Sequence, residues 1–151
     1  MPCIRHVSKI GSMVLSLGLL IALLAACSGG SSAPTQSTGV SSSFHTTLKT
    51  SDGMFQLQFT VTPNHQGLNT FTVNVDDANS GQPATNLQVQ LSTTMLDMAM
   101  GTDILDLPSG GNGHYSAQGA LSMAGSWEIH VLLRTPDATL HEAQVQLSTQ
   151  G

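Results

Sequence analysis

The sequence predicts an all-β domain, a sandwich of two packed sheets, standing behind an N-terminal export segment. Three observations carry this. Apolar and polar residues alternate with a period of two along several short runs. Clusters of Pro, Gly, Asn and Asp separate those runs. After Cys27 no stretch repeats its apolar residues at the helical spacing of three and four.

Residues 1–26 have the layout of a signal peptide. Arg5 and Lys9 form a basic head, and an apolar stretch from Met13 to Ala26 follows. That stretch is short for a transmembrane helix, which needs about 20 apolar residues. It ends in Leu24-Ala25-Ala26-Cys27, which resembles the lipobox of bacterial lipoproteins. The resemblance implies a diacylglyceryl group on the Cys27 thiol and cleavage just before it. Small residues suit a narrow protease groove, and two acyl chains anchor stably where one binds reversibly. The expected localisation is extracytoplasmic, lipid-anchored to a membrane, on the periplasmic or cell-surface side. The competing reading is an ordinary secretory signal with an incidental cysteine.

Residues 27–43 are Ser, Gly, Thr and Ala with little else, and have almost nothing to bury. They are expected to act as a flexible tether behind the lipidated cysteine. Cleavage would remove Cys3, and lipid would occupy Cys27. The exported domain would then have no disulfide and would rest on its own core.

Residues 44–151 form the expected sandwich domain. Phe55, Leu57, Phe59 and Val61 alternate with polar residues, and so do Phe71, Val73 and Val75. Leu87, Val89 and Leu91 follow, then Trp127, Ile129, Val131 and Leu133, then Ala143, Val145 and Leu147. Weaker strands are expected at Phe44–Thr50, Ile104–Leu107 and Tyr115–Ala120. Turns are expected at Pro63–Gly67, Asn79-Ser80-Gly81, Pro108–Gly113 and Pro136-Asp137. About seven or eight short strands in a chain of this length match an immunoglobulin-like two-sheet sandwich. Trp127 is placed in the centre of its core.

Charge removes several function classes. The mature chain keeps two cations, Lys49 and Arg134, against nine acids. That opposes binding to nucleic acid or to anionic lipid, both of which need a basic footprint. An enzyme is not expected. No serine sits in a nucleophile elbow, no thiol is free, and no Gly-rich phosphate loop opens a helix. Asp76-Asp77-Ala78-Asn79-Ser80-Gly81 has a calcium-loop flavour but lacks the length and the distal Glu, so it is read as an acidic turn.

Methionine is the unusual residue. Met1 and Met13 would leave with the signal, and three of the remainder crowd into Met95-Leu96-Asp97-Met98-Ala99-Met100. Met123 follows in Leu121-Ser122-Met123-Ala124-Gly125. On an extended chain, the thioethers of Met98 and Met100 would point the same way. Thioether sulfur is soft and suits Cu(I) far better than hard cations. His45, His65, His114, His130 and His141 are the nitrogen candidates. His114 stands out because it lies in a Gly-rich loop beside Tyr115. Methionine also fills cores and soft partner surfaces, so packing stands as the alternative.

Several pieces recur in order: Gly67-Leu68-Asn69 before a strand ending in Asp76-Asp77, Gly81-Gln82-Pro83, and a Val89/Leu91 strand. Then come Met95, Met98 and Met100, Gly113-His114-Tyr115, and Leu121-Ser122-Met123-Ala124-Gly125-Ser126-Trp127. From Gly67 to about Arg134 this succession resembles the YtkA-like domain of exported bacterial proteins. The resemblance implies an immunoglobulin-like sandwich and a link to copper handling or to assembly of copper-containing respiratory enzymes. Its implied thioether ligands are Met95, Met98, Met100 and Met123. His114 is not part of that pattern and is added from its loop position alone.

Two functions follow as expectations. One is a membrane-tethered module that takes Cu(I) through methionine thioethers, with a copper-donor or copper-acceptor protein as partner. The other is a metal-free structural or interaction domain of an exported complex. Burial discriminates them: sulfurs turned into the sheet interior favour packing, and sulfurs at an exposed end of the sandwich favour a site.

Overall fold

The computed structural model describes residues 42–151. The signal segment, Cys27 and most of the tether lie outside the described residues. Nine strands form: β1 (Phe44–Lys49), β2 (Phe55–Thr62), β3 (Gly67–Asp77), β4 (Gln88–Met95), β5 (Thr102–Leu107), β6 (Ser109–Gly111), β7 (His114–Leu121), β8 (Gly125–Arg134) and β9 (Leu140–Thr149). No helix occurs among the described residues. One sheet runs β1-β2-β3-β7-β6 and the other β5-β4-β8-β9. Every pairing within the sheets is antiparallel. The architecture is an immunoglobulin-like sandwich.

Alternation dictates the core. Leu57, Phe59 and Val61 of β2 are fully buried, and so are Val73 and Val75 of β3. From the opposite sheet Leu91, Ile129, Val131 and Leu133 meet them, with Trp127 2 % exposed. Each side chain of this size gains about 1.5–3 kcal/mol by leaving water, which lets the domain do without a disulfide. Phe44, Phe59 and Phe71 form a row of rings across β1, β2 and β3, with centroids 6.3 and 6.5 Å apart.

The structure has one strand more than the upper end of the sequence expectation. β6 lies inside the segment assigned to a turn. Asn112 and Gly113 between β6 and β7 both have positive φ, 53° and 73°. That is the backbone of a tight hairpin turn, and it folds Ser109–Gly111 back onto β7. At Gly113 a Cβ would lie 2.6 Å from the Val75 carbonyl oxygen, so only glycine fits. The acidic loop is a turn, as expected: the Asp77 carboxylate accepts hydrogen bonds from the Asn79 and Ser80 amides and the Ser80 hydroxyl.

The sandwich therefore has two ends. One collects the end of β4, the start of β5, the end of β7, the start of β8 and the end of β9. The other collects the start of β2, the end of β3, the start of β7 and the β8–β9 turn.

Candidate functional site

Met95 closes β4, where it pairs with Trp127 of β8. It is 5 % exposed and belongs to the core. Its methyl group lies against Gly125, where an added Cβ would come within 2.8 Å of it. The chain then leaves the sheet. The Leu96 amide donates to the Ser126 carbonyl (2.8 Å), and Asp97 Oδ2 accepts the Ser126 amide (2.6 Å). These bonds fasten the β4–β5 loop to the start of β8 and turn its one carboxylate back toward the protein.

Met98 and Met100 stand beyond this fastening, 51 % and 48 % exposed. They are not on an extended strand. The Met100 amide donates to the Met98 carbonyl (3.0 Å), so the segment bends, and Gly101 completes the bend with φ 79°. The period-two argument for parallel side chains thus does not apply; the shared loop is what keeps the two residues together.

Met123 lies in the β7–β8 connection, half-buried against the core. Its carbonyl is held twice, by Trp127 Nε1 (3.2 Å) and by the Thr149 hydroxyl (3.0 Å). All four methionines picked from the sequence are therefore at one end of the sandwich, in two layers. Met95 and Met123 pack inward, and Met98 and Met100 face solvent.

His114 is at the other end. It opens β7, opposite Asn74, whereas Met123 follows Leu121 at the far end of the same strand. The eight residues of β7 separate the two by roughly 24 Å. His114 Nδ1 is engaged with Asn74 Oδ1 at 2.8 Å, and its ring lies against Gly110. The structure does not bring it to the methionines. A Gly-rich loop gave His114 freedom in sequence, but the Asn112-Gly113 hairpin fixes it at the wrong end.

Two of the other histidines are engaged with carboxylates. His141, 8 % exposed, hydrogen-bonds through Nδ1 to Asp52 and sets its edge on the Phe55 ring at 4.9 Å. The Asp52 carboxyl is pulled down to about 2, first by the Thr50 hydroxyl, then by the Met54 amide and by His141. On the outer face of the second sheet, His130 bridges Glu142 and Glu128. The Glu142 hydrogen bond, then that from Glu128, pushes the His130 imidazole up from its ordinary range. Glu128 is held low by His130 and then by Gln146. Among the described residues, no group of three or more His, Cys, Asp or Glu side chains is placed to hold a metal ion. Among the described residues, Met98 and Met100 are two thioether side chains that stand exposed in one loop.

A model of the YtkA-like family matches residues 47–132. The chain belongs to the YtkA-like family. The match covers more than half of the chain, from within β1 through most of β8, and takes in Met95, Met98, Met100 and Met123. Membership supports an accessory domain that works outside the cytoplasm. No curated protein and no solved structure matches the chain.

Proposed function

We propose that the protein is an extracytoplasmic lipoprotein, held to a membrane through Cys27, whose YtkA-like domain takes Cu(I) through methionine thioethers and passes it on. The observation that supports this is the exposure of Met98 and Met100. A core-filling methionine is buried, as Met95 is; these two side chains stand about half exposed. The copper is cargo, not a resident cofactor. Met98 and Met100 would meet the ion, and Met123 stands at the border of the core behind them. Two open, neutral ligands favour transfer by ligand exchange over permanent capture. His114 takes no part in this reading, because β7 holds it at the opposite end.

The reading is tested on mature protein carrying Cys27→Ser, so that no thiol binds the metal. Cu(I) and Ag(I) should bind, and Zn(II) should not. Thioethers have no proton to lose, so binding should show no inflection near the ordinary histidine pKa of about 6.5. No binding of Cu(I) or Ag(I) overturns the copper reading. The anchor is tested separately: Cys27→Ser should abolish the lipid mass, and the protein should move to the aqueous phase or stay as uncleaved precursor.

One observation favours the metal-free accessory reading. Leu96, which has no donor atom, is exposed in the same loop at 47 %. Loss of binding to a protein partner on Leu96→Ser, with Cu(I) affinity absent from the wild type, would establish it.

A further inference from the structure

Seven large apolar side chains are exposed among the described residues. Three of them, Leu96, Met98 and Met100, occupy one loop, and Leu68 of β3 lies at the same end. Only Met54 and Leu140 are at the opposite end. The cations are distributed the other way: Lys49 ends β1 and Arg134 ends β8, so neither is at the methionine end.

The point where the chain enters the domain is also fixed. Phe44 pairs with Val61, and Val61 with Phe71, which places the start of β1 at the methionine end. Sixteen residues, 28–43, separate the lipobox cysteine from Phe44, and the connection can span at most roughly 60 Å. The eleven residues of β3 give the sandwich a length of about 35 Å. For the opposite end to meet the bilayer, that chain would have to run back along the whole domain. For the methionine end to meet it, the chain need only be short of its full reach.

Building on the lipid-anchor reading above, we propose that the β4–β5 loop docks on the bilayer that holds Cys27, with Leu96, Met98 and Met100 entering the headgroup boundary. The loop suits this. Its single carboxylate, on Asp97, is tied back to the Ser126 amide, so the outward side chains are the apolar ones. The contact is apolar and not electrostatic, since this end has no Lys or Arg among the described residues. Three side chains would hold a free protein weakly. A short tether raises the effective concentration to the millimolar range, and weak docking then suffices. The methionines would thus work at the membrane surface, within reach of a membrane-embedded exchange partner.

The test uses the full lipidated protein on phosphatidylcholine vesicles. A nitroxide is placed through Ala99→Cys in the loop or through Gln82→Cys in the turn at the opposite end. Flotation with the vesicles, together with the lipid mass on Cys27, checks the anchor by itself. Given flotation, the reporter at position 99 should be shielded severalfold from a water-soluble nickel chelate, and the one at 82 should not. Raised salt should leave this unchanged. Adding Leu96→Ser, Met98→Ser and Met100→Ser should abolish the shielding while flotation persists. Equal exposure of the two reporters would overturn the proposal. So would shielding that requires anionic lipid, or shielding that appears only in native membranes, where a protein partner would be the cause.

Discussion

The two ends of this sandwich differ in which side chains they leave unused. At the histidine end, donors and acceptors are used by one another. Asp52 takes Thr50, Met54 and His141; His114 takes Asn74; Asp77 closes its own turn. The Tyr115 hydroxyl donates to the Ala84 carbonyl and accepts the Leu87 amide. At the methionine end the loops are fastened by the Leu96 amide on the Ser126 carbonyl, by Asp97 on the Ser126 amide, and by Trp127 and Thr149 on the Met123 carbonyl, and the Met98 and Met100 side chains are left over. An internally satisfied cluster has little to offer a ligand. Side chains that hold nothing inside the protein are the ones available to something outside it.

The largest expected effect lies behind the methionine loop. Trp127→Ala would empty a buried aromatic site and leave the Met123 carbonyl with only its Thr149 hydrogen bond, costing about 3–5 kcal/mol. A domain of this size has little more stability than that. Urea denaturation should show much or all of the folded baseline lost, and Cu(I) binding lost with it. An unchanged midpoint would mean that the methionine end does not depend on the core beneath it.

At the opposite end, Tyr115→Phe keeps the ring and removes only the hydroxyl. Two part-buried backbone groups, at Ala84 and Leu87, would lose this partner, at a cost of about 0.5–1.5 kcal/mol for each hydrogen bond. The melting transition should fall while Cu(I) affinity stays at the wild-type value. A loss of affinity would show that the two ends are coupled and would undo the contrast between them.

Much of this was legible in the sequence, and the failures are instructive. Two-residue alternation identified the buried faces of β2, β3, β8 and β9, because each buries one side only. β6 was missed although Asn112-Gly113 is the strongest short hairpin signal a sequence can carry. Ser109–Gly111 has no side chain with which to alternate, so the strand is defined by its turn alone. The gathering of Met95, Met98, Met100 and Met123 at one end was legible from their order around strands. The split into buried and exposed pairs was not, since it depends on where β4 stops. His141 continues the inward phase of Ala143, Val145 and Leu147, so its burial could have been read. Its partner Asp52 could not, because that pairing joins the β1–β2 turn to the start of β9, 89 residues away along the chain.

A smaller effect is expected from acid. Asp52 is exposed, and its carboxyl falls from 3.8 to about 2 on folding. A lowered carboxyl stabilises the fold above its unfolded pKa and loses that contribution as pH falls through the folded one. Wild type should therefore lose stability between about pH 4 and pH 2 in part through this group. Asp52→Asn should be less stable at pH 6, and the gap should narrow across that window. His130 works in the other direction. Its raised pKa stabilises below about 6.5 and the contribution disappears as pH rises past the folded value. A gap between Asp52→Asn and wild type that is constant from pH 6 to pH 2 would show that the Asp52 cluster owes nothing to charge.

The smallest effect on stability should come from the residues that matter most to the proposed function. Met98→Leu with Met100→Leu keeps the apolar volume, and the two side chains contact little of the protein. Substitutions at such surface positions usually stay within about 0.5 kcal/mol. The loop is fastened by the Leu96 amide and by Asp97, neither of which changes. The double variant should therefore melt with wild-type protein and retain its apolar loop, while its affinity for Cu(I) and Ag(I) disappears. Met95→Leu alone should do the reverse, with a small loss of stability from a swap in a packed position, usually under about 1.5 kcal/mol, and little change in affinity. Titration with Ag(I) followed by urea denaturation of both variants reads the two quantities in one preparation. If Met95→Leu abolishes binding and the Met98/Met100 variant does not, the buried layer holds the ion, and exposure is not what marks the site.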